Sequence, residues 1–469
     1  MRGWGGGIEK NHSSSKKLVL SLVAISFLSS YSYATTVSSA ETSTKTISNS
    51  NNTVAIQNNG SIIIPTDNGN KNKQAILFQQ GSSTSTFLNQ GTLQGGSNAA
   101  SVQLSSNNQN GVTIETFKNE GIIGNGSSKF AITVWGSSDN KSSITNFSNS
   151  GTISSKGGEA IYFGNTNIKT FSNERLIQGD RGINVADGTT IDNFSNSGTI
   201  HGINNRGINI GIIPRQNHDE PIAGVNIKTL TNSGTIKNDN TGNGIRVGYA
   251  TIDNFSNSGL IQGNSIAGGL YTTNANIKTL TNSGTIINNG TLQPSSSASV
   301  SSGTFLIYST IENFTNTGST SGIMGVNLAQ TTINNFTNQG TIESTSSNAS
   351  AAGVNIMAIH GNPSTIDNLT NEGLIKSRAQ GILVEIGNEI GTLTNKGTID
   401  ADLNGISFYD TGDFSGETVK LSKIILENGS SIKARRNGIN LAGSSRSIEV
   451  DNIDVQKDAT VSGDNAGIA

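Results

Sequence analysis

A seven-residue motif, apolar-x-Asn-x-Gly-x-apolar, recurs along most of the chain, and a chain built this way has to stack copies of one unit. Clear copies run from Phe147 to Ile153, Phe194 to Ile200, Leu230 to Ile236, Phe255 to Ile261, Leu280 to Ile286, Phe336 to Ile342, Leu369 to Ile375 and Leu393 to Ile399. Weaker copies lie at Ile56 to Ile62, Phe87 to Leu93, Phe117 to Ile123, Phe171 to Ile177 and Phe314 to Thr320, and a degenerate copy starts at Ile425. Arg175 stands where one of the central glycines would be. Successive centres lie 22 to 36 residues apart, about fourteen units in all.

Alternation of Ile, Val, Phe and Thr with polar residues, punctuated by Gly and Asn, favours strands over helices. In one copy Phe194, Asn196, Gly198 and Ile200 share parity and face inward, while Ser195, Ser197 and Thr199 face outward. A second block of the form Gly-Ile-x-apolar recurs between the first ones, as in Gly182 to Val185, Gly207 to Ile210, Gly244 to Val247, Gly381 to Val384, Gly405 to Phe408 and Gly438 to Leu441. Each unit therefore supplies two or three short strands that cannot bury their inward face alone. Stacking buries it and pairs the strands in parallel, so the expected fold is an all-β right-handed parallel β-helix of about fourteen coils. Inward asparagines are expected to bond from coil to coil as a ladder, with glycine supplying a positive φ at the corner. The five prolines, Pro65, Pro214, Pro221, Pro294 and Pro363, all fall between strand blocks. The two longest clear intervals carry insertions, Pro214 to Pro221 and the Ser-rich stretch from Pro294 to Gly303.

Composition fits such a solenoid. Charged residues are 13 % and hydrophobic residues 32 %, with 57 glycines among 469 residues, so uncharged polar side chains make up roughly two-fifths of the chain. A net charge of −2 without clustered Lys and Arg argues against a nucleic-acid partner. The absence of cysteine excludes disulfides, thiolate metal sites and thiol nucleophiles. At the N-terminus, Arg2, Lys10, Lys16 and Lys17 precede the apolar run Leu18 to Leu28 and the small-x-small site Ser32-Tyr33-Ala34. Residues 1–34 read as a secretory signal peptide cleaved between Ala34 and Thr35, too short to anchor in a bilayer. The remainder carries 26 basic and 31 acidic side chains, a net −5. Residues 35–52 read as a flexible or capping segment and residues 53–469 as the β-helix, ending partway through a unit at Asn465-Ala-Gly-Ile-Ala469.

A signal peptide followed by Asn-Ser-Gly-Thr-Ile repeats, with low charge and no cysteine, resembles the passenger region of Gram-negative type V autotransporters over Ala34 to Ala469. The resemblance implies an exported cell-surface or extracellular protein that acts as an adhesin, toxin or enzyme on a β-helical stalk. It also implies an outer-membrane barrel, which this chain lacks, so self-transport is not expected of it alone. The implied partners are a host-cell receptor or glycan, or like passengers on other cells. Attachment is the first expectation, a passenger like the vacuolating cytotoxins the second, and a glycan-cleaving β-helix the third.

Catalytic motifs do not support the third. His201, His218 and His360 have no metal-ligand spacing, neither Gly-Asp-Ser-Gly nor Gly-Asp-Ser-Leu occurs, and no cofactor is expected. The one dense charged group, Arg215, His218, Asp219 and Glu220, reads as a solvated insertion loop or, in the enzyme reading, as a candidate site. The candidate binding surface is a sparse aromatic row, Tyr162, Tyr271, Tyr308 and Tyr409 with Arg246, expected to be exposed on outward positions beside the Gly-Ile block.

Overall fold

The computed structural model describes residues 35–48, 51–105, 110–124, 129–211, 224–291, 300–359, 361–385, 387–409, 419–441 and 448–469. Their strands form three sheets of sixteen strands, and every neighbouring pair along each sheet is three strands apart in the chain. Sheet A collects the first strand of each coil, from Thr35–Val37 to Ile448–Val455. Sheet B collects the second, from Ala40–Glu41 to Thr460–Gly463, and sheet C the third, from Lys45–Ile47 to Ala466–Ile468. The chain is a parallel β-helix of sixteen coils, about 70 Å long at the usual strand spacing.

The two coils beyond the expected fourteen lie at the ends, where the Asn-x-Gly motif is missing. Residues 35–47, expected as a flexible or capping segment, form a strand in each sheet. At the other end Ala466–Ile468 pairs with Asn437–Asn440, so the sixteenth coil also has a strand in each sheet. Two motif copies shift by register. Val54, not Ile56, aligns with Phe87, and Ile424, not Ile425, aligns with Leu393. Ile56 and Leu426 consequently occupy the asparagine position.

A typical coil buries five inward apolar side chains: Ile191 and Phe194 from sheet A, Ile200 from sheet B, and Ile208 and Ile210 from sheet C, none more than 1 % exposed. Between Ile191 and Phe194 two residues turn outward in succession, and the strand bends. The bend recurs in register in adjacent coils, so inward residues stack like on like. Phe87, Phe117, Phe147, Phe171 and Phe194 form a continuous stack with ring centroids 4.5 to 4.9 Å apart.

The asparagine ladder is complete from Asn89 to Asn395. Twelve asparagines in consecutive coils are joined by eleven bonds, each Nδ2 donating to the Oδ1 of the asparagine in the next coil at 2.7 to 2.8 Å. The glycine of the same motif has the expected positive φ in the degenerate copy, at Gly429 (76°), but elsewhere has a different role. It does not have positive φ at Gly259 or Gly284; a Cβ at Gly259 would instead lie 2.0 Å from the carbonyl oxygen of Gly234 in the coil below. Where Arg175 replaces glycine, the bond from Leu176 N to Gly151 O lengthens to 3.4 Å, against 2.8 Å for Thr152 N to Gly121 O. Pro65 and Pro363 lie outside strands, while Pro214, Pro221 and Pro294 fall outside the described residues.

Candidate functional site

The outward face of sheet C carries most of the expected binding residues. Strand register places Thr133, Tyr162, Asn184, Asn209, Arg246, Tyr271, Phe305, Asn327 and Asn355 in one outward column, one per coil. Tyr162, Arg246 and Tyr271 therefore share a column, as the parity of the Gly-Ile block requires. Tyr409 does not, because it follows Phe408 and aligns with Glu385 in a second column two residues further along the strand. Tyr308 lies on no strand; it occupies the corner that leads from sheet C to sheet A.

The column is not the exposed aromatic row expected from sequence. Arg246 is 2 % exposed, Phe305 1 % and Asn355 1 %. Tyr162 and Tyr271 are half-buried, Tyr162 stacked on Trp135 with centroids 4.3 Å apart and Tyr271 tilted against Phe305 at 5.5 Å. Burial, with Glu159 and Asp187 nearby, pushes the Tyr162 phenol well above its ordinary pKa. Burial does the same to Tyr409 beside Glu385, and to Tyr271, where Arg246 acts in the opposite direction. These phenols stay neutral at physiological pH. Of the four expected tyrosines, only Tyr308 is exposed, at 38 %.

Arg246 belongs to a cationic group that the composition did not reveal. Its Nη1 donates to Asn209 Oδ1 at 3.0 Å, while Nε and Nη2 have no hydrogen-bond partner. Burial lowers its pKa, and burial with Arg246 and Arg181 nearby brings Arg206 down to about 10. Arg181 pairs with Glu159 at 2.5 Å. Trp135, Arg181 and Arg206 escaped the sequence reading, because only coil-to-coil register brings them beside residues more than twenty positions away.

The loop Arg215, His218, Asp219 and Glu220 and the cleavage residue Ala34 fall outside the described residues, whereas Thr35 opens the first strand of sheet A. Among the described residues no group of three His, Asp or Glu side chains is placed to hold a metal ion. His201 lies on sheet B next to Lys237, with Nε2 2.8 Å from Asp239 Oδ2; burial first and Lys237 second hold its pKa below the ordinary histidine value.

A third outward column runs along sheet A. Thr86, Thr116, Asn146, Thr170, Asn193, Thr229, Asn254, Thr279, Asn313, Asn335, Asn368 and Thr392 follow one another in register. All twelve are exposed or half-buried, and adjacent amides bond where they meet, as between Asn335 and Asn313 at 3.0 Å. This column offers uncharged donors and acceptors at one fixed spacing along most of the rod. Comparisons with protein-family models, with curated proteins and with solved structures found no match.

Proposed function

We propose that the chain is an exported, surface-displayed passenger of the autotransporter type that mediates attachment, to host cells or to like cells. The observation that carries this reading is the Thr/Asn column of sheet A, twelve coils long and without a charged member. Each side chain offers a weak contact, and a rigid repeat presents many of them together, so avidity rather than one deep pocket produces adhesion. The signal-peptide pattern, the repeat and the low charge support display outside the cell, with a host receptor, a glycan or another passenger as partner.

Beads coated with the purified chain test the reading. They should bind epithelial cells or aggregate with one another well above beads coated with a bland protein. Equal binding refutes it. Dye leakage from liposomes without cell binding replaces it with a pore-forming toxin, and release of reducing ends from glycans replaces it with an enzyme.

A further inference from the structure

In several coils one residue in the left-handed region turns the corner between sheets C and A. Asn165 (φ 47°), Tyr249 (50°), Asn274 (50°), Tyr308 (51°) and Gln330 (46°) hold equivalent positions, the last four in successive coils. Glycine and asparagine take that conformation at least cost, whereas a bulky side chain is strained in it. Tyrosine nevertheless occurs twice, on either side of Asn274. Strain of this kind persists where the surrounding structure over-determines it, and it clusters at ligand clamps and active sites.

The strained tyrosines border a cleft. An open cavity of ≈ 550 Å³ is walled by Tyr249, Asn274 and Tyr308 and includes Asn226, Thr251, Asn276 and Thr310. The latter four are exposed and in register, one per coil, on the outward face where sheet A begins. The cavity is thus lined by two tyrosines whose backbones lie two strand spacings, about 10 Å, apart, together with a row of amides and hydroxyls. Among the described residues no charged side chain lines it.

We infer that this cleft binds a neutral oligosaccharide laid along the rod axis. Tyrosine faces stack on the C–H faces of pyranose rings, and Asn and Thr side chains match sugar hydroxyls as both donors and acceptors. A nucleic acid would require cations, and an apolar ligand would leave the amide row unpaired. A peptide adding to a sheet edge is excluded, because the strands that line the cleft are paired on both sides.

The inference rests on the attachment reading and names its ligand, and the experiment separates the two. The full chain is applied to a glycan array that carries neutral and acidic oligosaccharides, beside the bead assay on cells. Binding to neutral glycans is expected. The double variant Tyr249→Asn, Tyr308→Asn should bind at least tenfold more weakly while melting at the same or a higher temperature, since asparagine already turns this corner at Asn165 and Asn274. Asn276→Ala, an exposed change, should weaken binding with the fold unaltered and serves if the double variant loses its strand signal. No glycan binding, binding confined to acidic glycans, or unchanged binding by both variants overturns the inference. Cell attachment without glycan binding overturns it and leaves the attachment reading standing; glycan binding without attachment does the reverse.

Discussion

The asparagine ladder has a direction, and that direction predicts unequal costs for the same substitution at different coils. Every Nδ2 donates to the next coil, so each interior Oδ1 has its donor in the coil before, and at the first member Asn89 Oδ1 has no partner. Asn232→Leu removes the bonds from Asn196 and to Asn257 and leaves Asn257 Oδ1 buried without its ladder donor. Two net bonds at ~0.5–1.5 kcal/mol each and one orphaned acceptor at ~1–3 kcal/mol give a loss of about 2–6 kcal/mol. Asn395→Leu, at the last member, removes one ladder bond and orphans no asparagine oxygen; Asn371 Nδ2 keeps a carbonyl partner, Thr398 O, at 3.1 Å. Its cost is about 0.5–1.5 kcal/mol. Leucine fits the position, since Leu426 occupies it in the following coil. Because the substitution is identical, unfolded-chain effects cancel, and the difference reports the polarity of the ladder. Native-state hydrogen exchange of the full chain reads the opening free energy of the coils around each site. Equal losses, or the greater loss at Asn395, would refute the directional ladder.

Other perturbations test the packing and the buried charges. Phe117→Ala removes a fully buried ring stacked on both Phe87 and Phe147 and should cost about 3–5 kcal/mol, with exchange protection lost first in those coils. Arg246→Met should raise the melting temperature, by about 1 kcal/mol of stability or more, because two guanidinium nitrogens are buried without partners and the same column accepts Phe305 and Leu383. A lower melting temperature would show that the cation has a partner in the folded chain. His201, held below its ordinary pKa in the fold, contributes stability that is present above ~6.5 and is lost as pH falls from there toward its folded value. His201→Asn should flatten that acid-side slope in urea titrations at successive pH values.

Much of the architecture was legible in the chain itself. Parity placed Phe194, Asn196 and Ile200 inside, and the recurrence of Asn-x-Gly implied stacked coils joined by an amide ladder, because identical neighbours are what a parallel stack brings together. The motif stops informing where it degenerates: it puts Ile56 and Ile425 at the place that Val54 and Ile424 occupy, and the end coils carry no motif to count. Glycine at position five was legible as necessary but not for its reason, since a clash with the carbonyl below exists only once coils are stacked.

The candidate site divides in the same way. Local alternation settled which residues of sheet C point outward, and so put Tyr162, Arg246 and Tyr271 on one face. Only the tertiary structure decided that this face is largely covered, that Arg246 lies next to Asn209 from 37 residues earlier, and that Tyr249 and Tyr308 flank Asn274 at one strained corner of the stack. Inward or outward orientation is a property of a strand with period two, which a sequence carries by itself. Burial of an outward face and the meeting of corners depend on the lengths of intervening loops and on coil register, which bring together residues that no local pattern connects.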